Sequence, residues 1–334
     1  MIVEDITQVV YYNDFPSSNS DLFGLPRPAW TDKEVNDFKN FMKKYHLNYK
    51  NETGEFDRHL KAFKDNLKKI KDINNKGYGG QYGVNKFSAM TPEEFKQRLM
   101  PANLNLKKNN NIPKFKRHER LRHKRQSIPT SYDYRDYGWV TSVKDQGQCG
   151  SCWAFTTAAA FESNLLMYYG YDLDLSEQSL VDCNGENYGC DGGFVNVAID
   201  HIRENGLPLE ANYPYAESET GTCSTAGGNR YYDLQYWQIE SEADIEYFVY
   251  NYGPVAFYFI VPDDFQLFNG AVFDLDSCPP TEYLHEVLIV GYTPDYWITK
   301  NSWGTDWGED GYFYYTRGKN LCNMEVQLLG TYLD

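Results

Sequence analysis

The sequence predicts an α+β protein in which a helix-bearing half precedes a half rich in β-prone residues, with a mainly helical region ahead of both. Three observations predict it. Apolar residues recur at helical spacing up to residue 76, and a second helical pattern starts at Trp153. After Tyr236, short runs rich in Val, Ile, Phe and Tyr alternate with Gly, Pro and Asp.

In the front region, Trp30, Phe38, Phe41 and Tyr45 lie eight, three and four apart, and Phe56, Leu60, Phe63, Leu67 and Ile70 recur at steps of four and three. The spacing predicts packing helices over about Thr31 to Lys50 and Glu55 to Lys76. After Pro101 the chain turns Asn- and Lys-rich and ends in a basic run from Arg117 to Arg125. That run has few residues able to build a core, so it reads as an exposed linker, where proteases cut. Arg122-x-Lys124-Arg125 is the pattern furin-like convertases accept; a linker never cut there is the alternative. The division is therefore 1–126, helical over 30–100 with a basic linker at 101–126, and 127–334.

From Ile128 the sequence predicts a helical lobe over about 127–236 and a β lobe over about 237–334. The helix behind Cys152 shows a face of Phe155, Ala158, Phe161 or Glu162, and Leu165, with Gly170 as its stop. A further helix covers Val195 to Arg203 and ends at Asn205-Gly206. Strands are expected at Val255 to Val261, His285 to Tyr292, Tyr296 to Lys300 and Gly311 to Arg317. Two such lobes leave a cleft between them, a usual place for a ligand site.

With 334 residues the chain is long enough for about two domains. Its longest apolar run, Val255 to Val261, falls short of the roughly 20 residues a membrane helix needs, so no membrane association is expected. Residues 1–20 carry no basic start and no apolar core of a secretory signal, which is either absent or already removed. Charge is divided sharply: residues 1–125 hold 25 Lys or Arg against 15 Asp or Glu, and residues 126–334 hold 7 against 32. A basic segment and an acidic one are expected to attract and to separate as carboxylates protonate. Acids run through the basic segment and no nucleic-acid motif occurs, so DNA or RNA binding is not expected.

The chemistry centres on Gln146-Gly147-Gln148-Cys149-Gly150-Ser151-Cys152-Trp153. A thiol in the first turn of a helix sits at the positive end of the dipole, which favours thiolate and predicts a lowered pKa. A zinc site built on Cys149-x-x-Cys152 is the rival reading, but Cys183 and Cys190 are too far apart for the usual second pair. The seven cysteines all follow residue 148; if Cys152 is free, six remain for three disulfides, which suits an oxidising compartment. A nucleophilic cysteine needs a base. After Cys152 only His201 and His285 are available, and His201 lies within a helix and reads as structural. His285, at the head of a strand, can face the cleft, with Asn301 to fix its tautomer and Trp303 to keep water from that bond.

With these residues assembled, the chain resembles the papain-like cysteine proteases, in a cathepsin L/F-like branch, from about Trp30 to the end. The matching pieces are Gln146 to Trp153, Cys183 followed by Cys190-Asp191-Gly192-Gly193-Phe194, His285 to Tyr292, and Asn301 to Gly308. The resemblance implies a two-lobe papain-like fold with a β-barrel-like right lobe, and disulfides Cys149–Cys190, Cys183–Cys223 and Cys278–Cys322. It implies an endopeptidase with Cys152 as nucleophile, His285 as its partner, Asn301 as orienting group, and Gln146 with the Cys152 N–H as oxyanion donors. Substrate would be bound by Gly192, Gly193, Phe194, Val195, Tyr258, Tyr283, Glu286, Trp303 and Gln327, with no metal or cofactor. Small residues are usual where Glu286 stands, and Leu284 replaces an expected Asp or Asn; Glu286 either points to solvent or makes a pocket that accepts Arg or Lys. No His-His insertion of the cathepsin B type occurs, which favours endopeptidase action. A catalytically silent papain-like binding protein is the alternative, and such proteins typically lack the Cys, His or Asn present here.

The front region resembles the inhibitory propeptide of that family. Its helical signature appears as Glu55, His59, Phe63, Asn66, Ile70 and Asn74, with His59 where Arg is expected, and a second motif appears as Gly83, Asn85, Phe87 and Ala89, with Ala89 in place of Asp. His59 makes an internal ion pair sensitive to pH near neutrality, and loss of the Asp removes a group implicated in acid-triggered release. The implied partners are protein and peptide substrates, the chain's own propeptide as an intramolecular inhibitor, and cystatin-type inhibitors of a monomeric enzyme. A lysosomal or secreted location follows, and there the sequon at Asn51 can be glycosylated.

Overall fold

A computed structural model describes residues 30–50, 54–77, 79–104, 112–116, 128–224 and 227–333. The Asn51 sequon and the basic run Arg117 to Arg125 lie outside the described residues. The chain divides into two compact units, residues 1–60 and 61–334.

In the first unit, α1 (Asp32–Lys44) opens with a capping box in which the Thr31 hydroxyl accepts from Glu34 N while the Glu34 carboxylate accepts from Thr31 N at 2.8 Å. The helix ends six residues earlier than the sequence predicts. His46 takes φ +53° and Leu47 N donates to Met42 O at 2.9 Å, which closes the last turn and turns the chain back. That turn lets Tyr49 stack on Phe38, with ring centroids 6.0 Å apart, and on buried His59, at 3.7 Å. Trp30 Nε1 donates to Asp57 at 2.9 Å. Helix α2 (Glu55–Lys76) starts in this unit, continues past residue 60 into the second, and has the predicted bounds.

The second unit holds α3 (Pro92–Lys96), α4 (Cys152–Tyr169), α5 (Glu177–Cys183), α6 (Val195–Asn205) and α7 (Ile245–Asn251). Gly170, at φ +68°, caps α4 as expected. The single packing face expected for α4 is not what it shows: every residue from Cys152 to Leu165 except Ala159 is buried. A helix buried all round is an internal helix, here with Thr157, Glu162 and Asn164 buried among its apolar residues, and α4 packs against α5, α6 and the main sheet.

That sheet is built from β1 (Leu234–Ile239), β2 (Val255–Ile260), β3 (Tyr283–Tyr292), β4 (Tyr296–Lys300), β5 (Tyr312–Thr316) and β6 (Leu328–Leu333). Their order is β1-β6-β2-β3-β4-β5, antiparallel throughout, with Val272–Phe273 added parallel to β5. The first strand crosses the lobe boundary expected at 236/237. Disulfides join Cys149 to Cys190, Cys183 to Cys223 and Cys278 to Cys322, and Cys152 is the free cysteine.

Candidate active site

Cys152 is the first residue of α4, and the loop before it is pinned on two sides. Cys149 is bonded to Cys190, and Gly150 N donates to Cys190 O at 2.9 Å. A Cβ at Gly150 would stand 2.4 Å from that carbonyl, so only glycine permits the approach. The Ser151 hydroxyl does not cap the helix; it bonds Tyr215 OH at 2.7 Å, and that hydroxyl donates to Gln146 O at 2.8 Å. The first amides of α4 are thereby left to face the thiol.

His285 is the third residue of β3, since the strand starts at Tyr283 rather than at the histidine. Its Nε2 donates to Asn301 Oδ1 at 2.6 Å, and Asn301 Oδ1 also accepts from Ser302 N at 2.8 Å. Trp303 stacks on the imidazole with centroids 4.3 Å apart and planes 25° apart. Nδ1 is buried and has no hydrogen-bond partner. Burial pushes the imidazole down to about 4, against a smaller upward pull from Asn301.

Gln146 is aimed by two donors. Its Oε1 accepts from Ser302 Oγ at 2.7 Å and Trp303 Nε1 at 3.1 Å, which turns Nε2 into the cleft. There Nε2 donates at 2.8 Å to Cys149 O and, at the same distance, to the carbonyl of Arg98.

Arg98 belongs to a segment that fills the cleft. Met100 and Pro101 pair antiparallel with Leu284 and Tyr283, and Ala102 N donates to Glu282 O at 2.8 Å. A Cβ on Gly192, which has φ +119°, would meet Leu104 Cδ1 at 2.6 Å and Met100 Cβ at 3.2 Å. Upstream, Gln81–Tyr82 adds to the strand Phe268–Gly270, and Asn85 Nδ2 donates to the carbonyls of Gln266 and Phe268, each at 3.0 Å. Gln266 Nε2 returns bonds of 2.9 Å to the carbonyls of Phe87 and Met90. Phe87 and Phe95 then stand edge-on to Trp303, at 5.5 and 5.3 Å. Asn66 and Asn74 of α2 hold this arm by bonds to Ser88 O, Met90 O and Tyr82 O.

The cover overturns the lowered thiol pKa expected from the helix dipole. Cys152 is fully buried, and desolvation pushes its thiol up to about 12 against the downward pull of the amide of Glu286, which reaches Sγ at 3.4 Å, and those of Trp153 and Cys152.

Glu286 does not point to solvent. Its side chain is fully buried, both carboxylate oxygens lack partners, and burial raises its pKa to about 8. It lies opposite Tyr258 across β2 and β3. Gln327 is buried, its Nε2 bonded to Asn196 Oδ1 at 3.0 Å and its Oε1 without a partner. Gly192, Gly193, Phe194 and Val195 form the buried turn into α6, where Phe194 N donates to Asn187 Oδ1 at 2.9 Å. Tyr283 is separated from this set: alternation along β3 puts it on the face of His285, opposite that of Glu286, and its ring lies under Lys96 at 5.3 Å. Sequence reasoning did not find Ser302, Tyr215 or Arg98. Ser302 sits inside a motif already singled out, whereas nothing in the sequence marks Arg98.

The papain family cysteine protease model matches residues 128–331, and the cathepsin propeptide inhibitor domain matches residues 38–95. The chain belongs to the papain family of cysteine proteases. It is similar to pro-cathepsin H of Medicago truncatula, at 37% identity over 86% of this chain and 83% of that one. Thiol protease aleurain of Arabidopsis thaliana is 35% identical over 87% and 82%. Among solved structures, digestive procathepsin L2 proteinase from Tenebrio molitor larval midgut superposes with a TM-score of 0.80 at 34% identity, over 90% of this chain and 100% of that one. The chain is thus a cysteine endopeptidase zymogen with a papain-like α+β fold, acting on peptides and carrying its own inhibitory propeptide.

Proposed function

We propose that the zymogen divides at about residue 126, and that peptide hydrolysis in the released domain runs through Cys152, His285, Asn301 and Gln146. Cys152 Sγ, as thiolate, attacks the substrate carbonyl carbon and forms a C–S bond, while Gln146 Nε2 and the Cys152 N–H hold the oxyanion. His285, which holds the proton from the thiol and is oriented by Asn301, gives it to the leaving amine as the C–N bond breaks; it then takes a proton from the attacking water, the C–S bond breaks to release the acid, and the proton returns to the thiolate. The observation that carries this reading is the 2.8 Å bond from Gln146 Nε2 to a peptide carbonyl, that of Arg98. The full chain incubated between pH 4 and 7 should release a new amino terminus and become labelled at Cys152 by an epoxide thiol inhibitor. Cys152→Ala should do neither, and peptide turnover by that variant would refute the nucleophile.

The buried carboxyl of Glu286, with Tyr258 and Gln327, supports a polar pocket for the second residue before the cut, bordered by Gly192, Gly193, Phe194 and Val195. A cation entering it gives the carboxylate the partner it lacks, so Arg or Lys is accepted there. Arg-Arg peptides should gain on Phe-Arg peptides in the wild type relative to Glu286→Ala. Three disulfides and the similarity to pro-cathepsins support a lysosomal or secreted location; there the released domain acts as a monomer open to cystatin-type inhibitors.

A further inference from the structure

We propose that the cleft also selects a basic side chain just after the scissile bond, through Asp145 and the carbonyl of Gly147, with Glu217 as a second acid. This rests on the peptidase reading above, in which residues before the cut lie along Gly192 to Val195. The propeptide displays the chemistry. On one side of the Arg98 carbonyl, Met100 and Leu104 lie against Gly192. On the other, the Arg98 guanidinium enters the crevice beside Gln146, its side chain 6% exposed. Nη1 donates to Gly147 O and lies 3.9 Å from Asp145 Oδ1. Lys86 Nζ pairs with Asp145 Oδ2.

The site is part of the cleft wall. Asp145 bridges to Trp303, and its Oδ1 accepts from Gly147 N at 3.1 Å, so the carboxylate is held by the turn it caps. Glu217 closes the same turn: a Cβ on Gly147 would collide with its Oε2 at 2.1 Å. When the propeptide departs it takes Lys86 and Arg98 with it. Two acids and a carbonyl then face the leaving-group side, a donor set suited to guanidinium or ammonium.

The test uses the full chain after self-processing at acid pH, and quenched peptides that differ only by Arg or Gln at the first or second residue after the cut. The kcat/KM ratio of Arg to Gln should be about three- to tenfold at one of these positions, the range for a half-exposed charge pair with a charge-assisted hydrogen bond. It should fall toward one in Asp145→Asn, which keeps the acceptor for Gly147 N, and further in Asp145→Asn/Glu217→Gln. A merely structural role for Asp145 lowers both peptides alike and keeps the ratio, which overturns the inference, as does a wild-type ratio of one. No cleavage of any peptide, with no epoxide labelling of Cys152, overturns the peptidase reading and this inference with it.

Discussion

Gln146 Nε2 donates to the Arg98 carbonyl at 2.8 Å, so a peptide group of the segment in the cleft occupies the amide proposed as an oxyanion donor. Both neighbours that aim this amide, Ser302 and Trp303, act on Oε1 and leave Nε2 to donate to Cys149 O and Arg98 O. Losing one oxyanion donor costs about 10²- to 10³-fold in kcat. Gln146→Ala should therefore lower kcat of the processed enzyme by that factor with a much smaller change in KM. A loss carried wholly by KM would assign Gln146 to ground-state binding instead.

Burial sets the protonation states of the closed precursor. The thiol is held near 12 and the imidazole near 4, so at neutral pH the precursor carries a neutral Cys152 thiol and a neutral His285 imidazole. For His285 the closed form has the lower pKa and binds fewer protons than the open one. Its contribution to closure is fully present above the ordinary value of about 6.5 and is lost as pH falls from there to about 4. The difference amounts to roughly 3 kcal/mol at about 1.4 kcal/mol per unit. Release at acid pH would then be sensed by His285 itself, since Ala89, fully buried, stands where the expected Asp is missing. Processing should accelerate between pH 6.5 and 4, and alkylation of Cys152 in unprocessed precursor at pH 7 should be slow; fast alkylation there would show the thiol already ionised.

Charge imbalance between the halves suggests an electrostatic clamp, and the geometry ranks it second. The ion pairs Lys69–Asp264, Lys96–Asp263 and Lys114–Glu240 have partners about a third to three-fifths exposed, so each contributes about 0–1 kcal/mol, and the more buried Lys86 and Arg98 share the one half-exposed carboxylate of Asp145. Phe87 is fully buried against Trp303 and Phe95, and truncating such a ring costs about 3–5 kcal/mol. Phe87→Ala should leave the full chain partly active near neutral pH. Raising salt to 1 M should release far less activity; the reverse ranking would restore the clamp.

Much of this was legible in the sequence because local chemistry and tertiary demand agree there. Gly170 stops α4, Phe56, Leu60 and Phe63 are buried along one helix face although Leu67 of the same pattern is 38% exposed, and the odd cysteine count requires one unpaired thiol, which is Cys152. Two strands, β1 and β6, were not legible. Gly330 within β6 reads as a breaker, yet the Phe248 ring packs so close that a Cβ there would meet it at 2.4 Å. The site was legible as residue types but not as a state. Spacing places a thiol at a helix start, whereas its pKa follows from burial in the folded chain, and the segment over the cleft is positioned by bonds to residues more than 170 positions away, such as Gln266.

Glu286 should be a stability liability whose sign follows from its burial. Its closed-state pKa, about 8, lies above the ordinary carboxylate value of about 4.3, so the folded form binds more protons. The folded state is therefore penalised least below pH 4.3, and the penalty grows as pH rises toward 8. At pH 7 it is on the order of 2–4 kcal/mol, from about 1.4 kcal/mol per unit. Glu286→Gln keeps the shape and cannot ionise, so it should raise the melting temperature of the full chain at pH 7 to 8 and change it little at pH 4.5. Equal shifts at both pH values would mean that packing, rather than the cost of keeping a proton on Glu286, separates the two proteins.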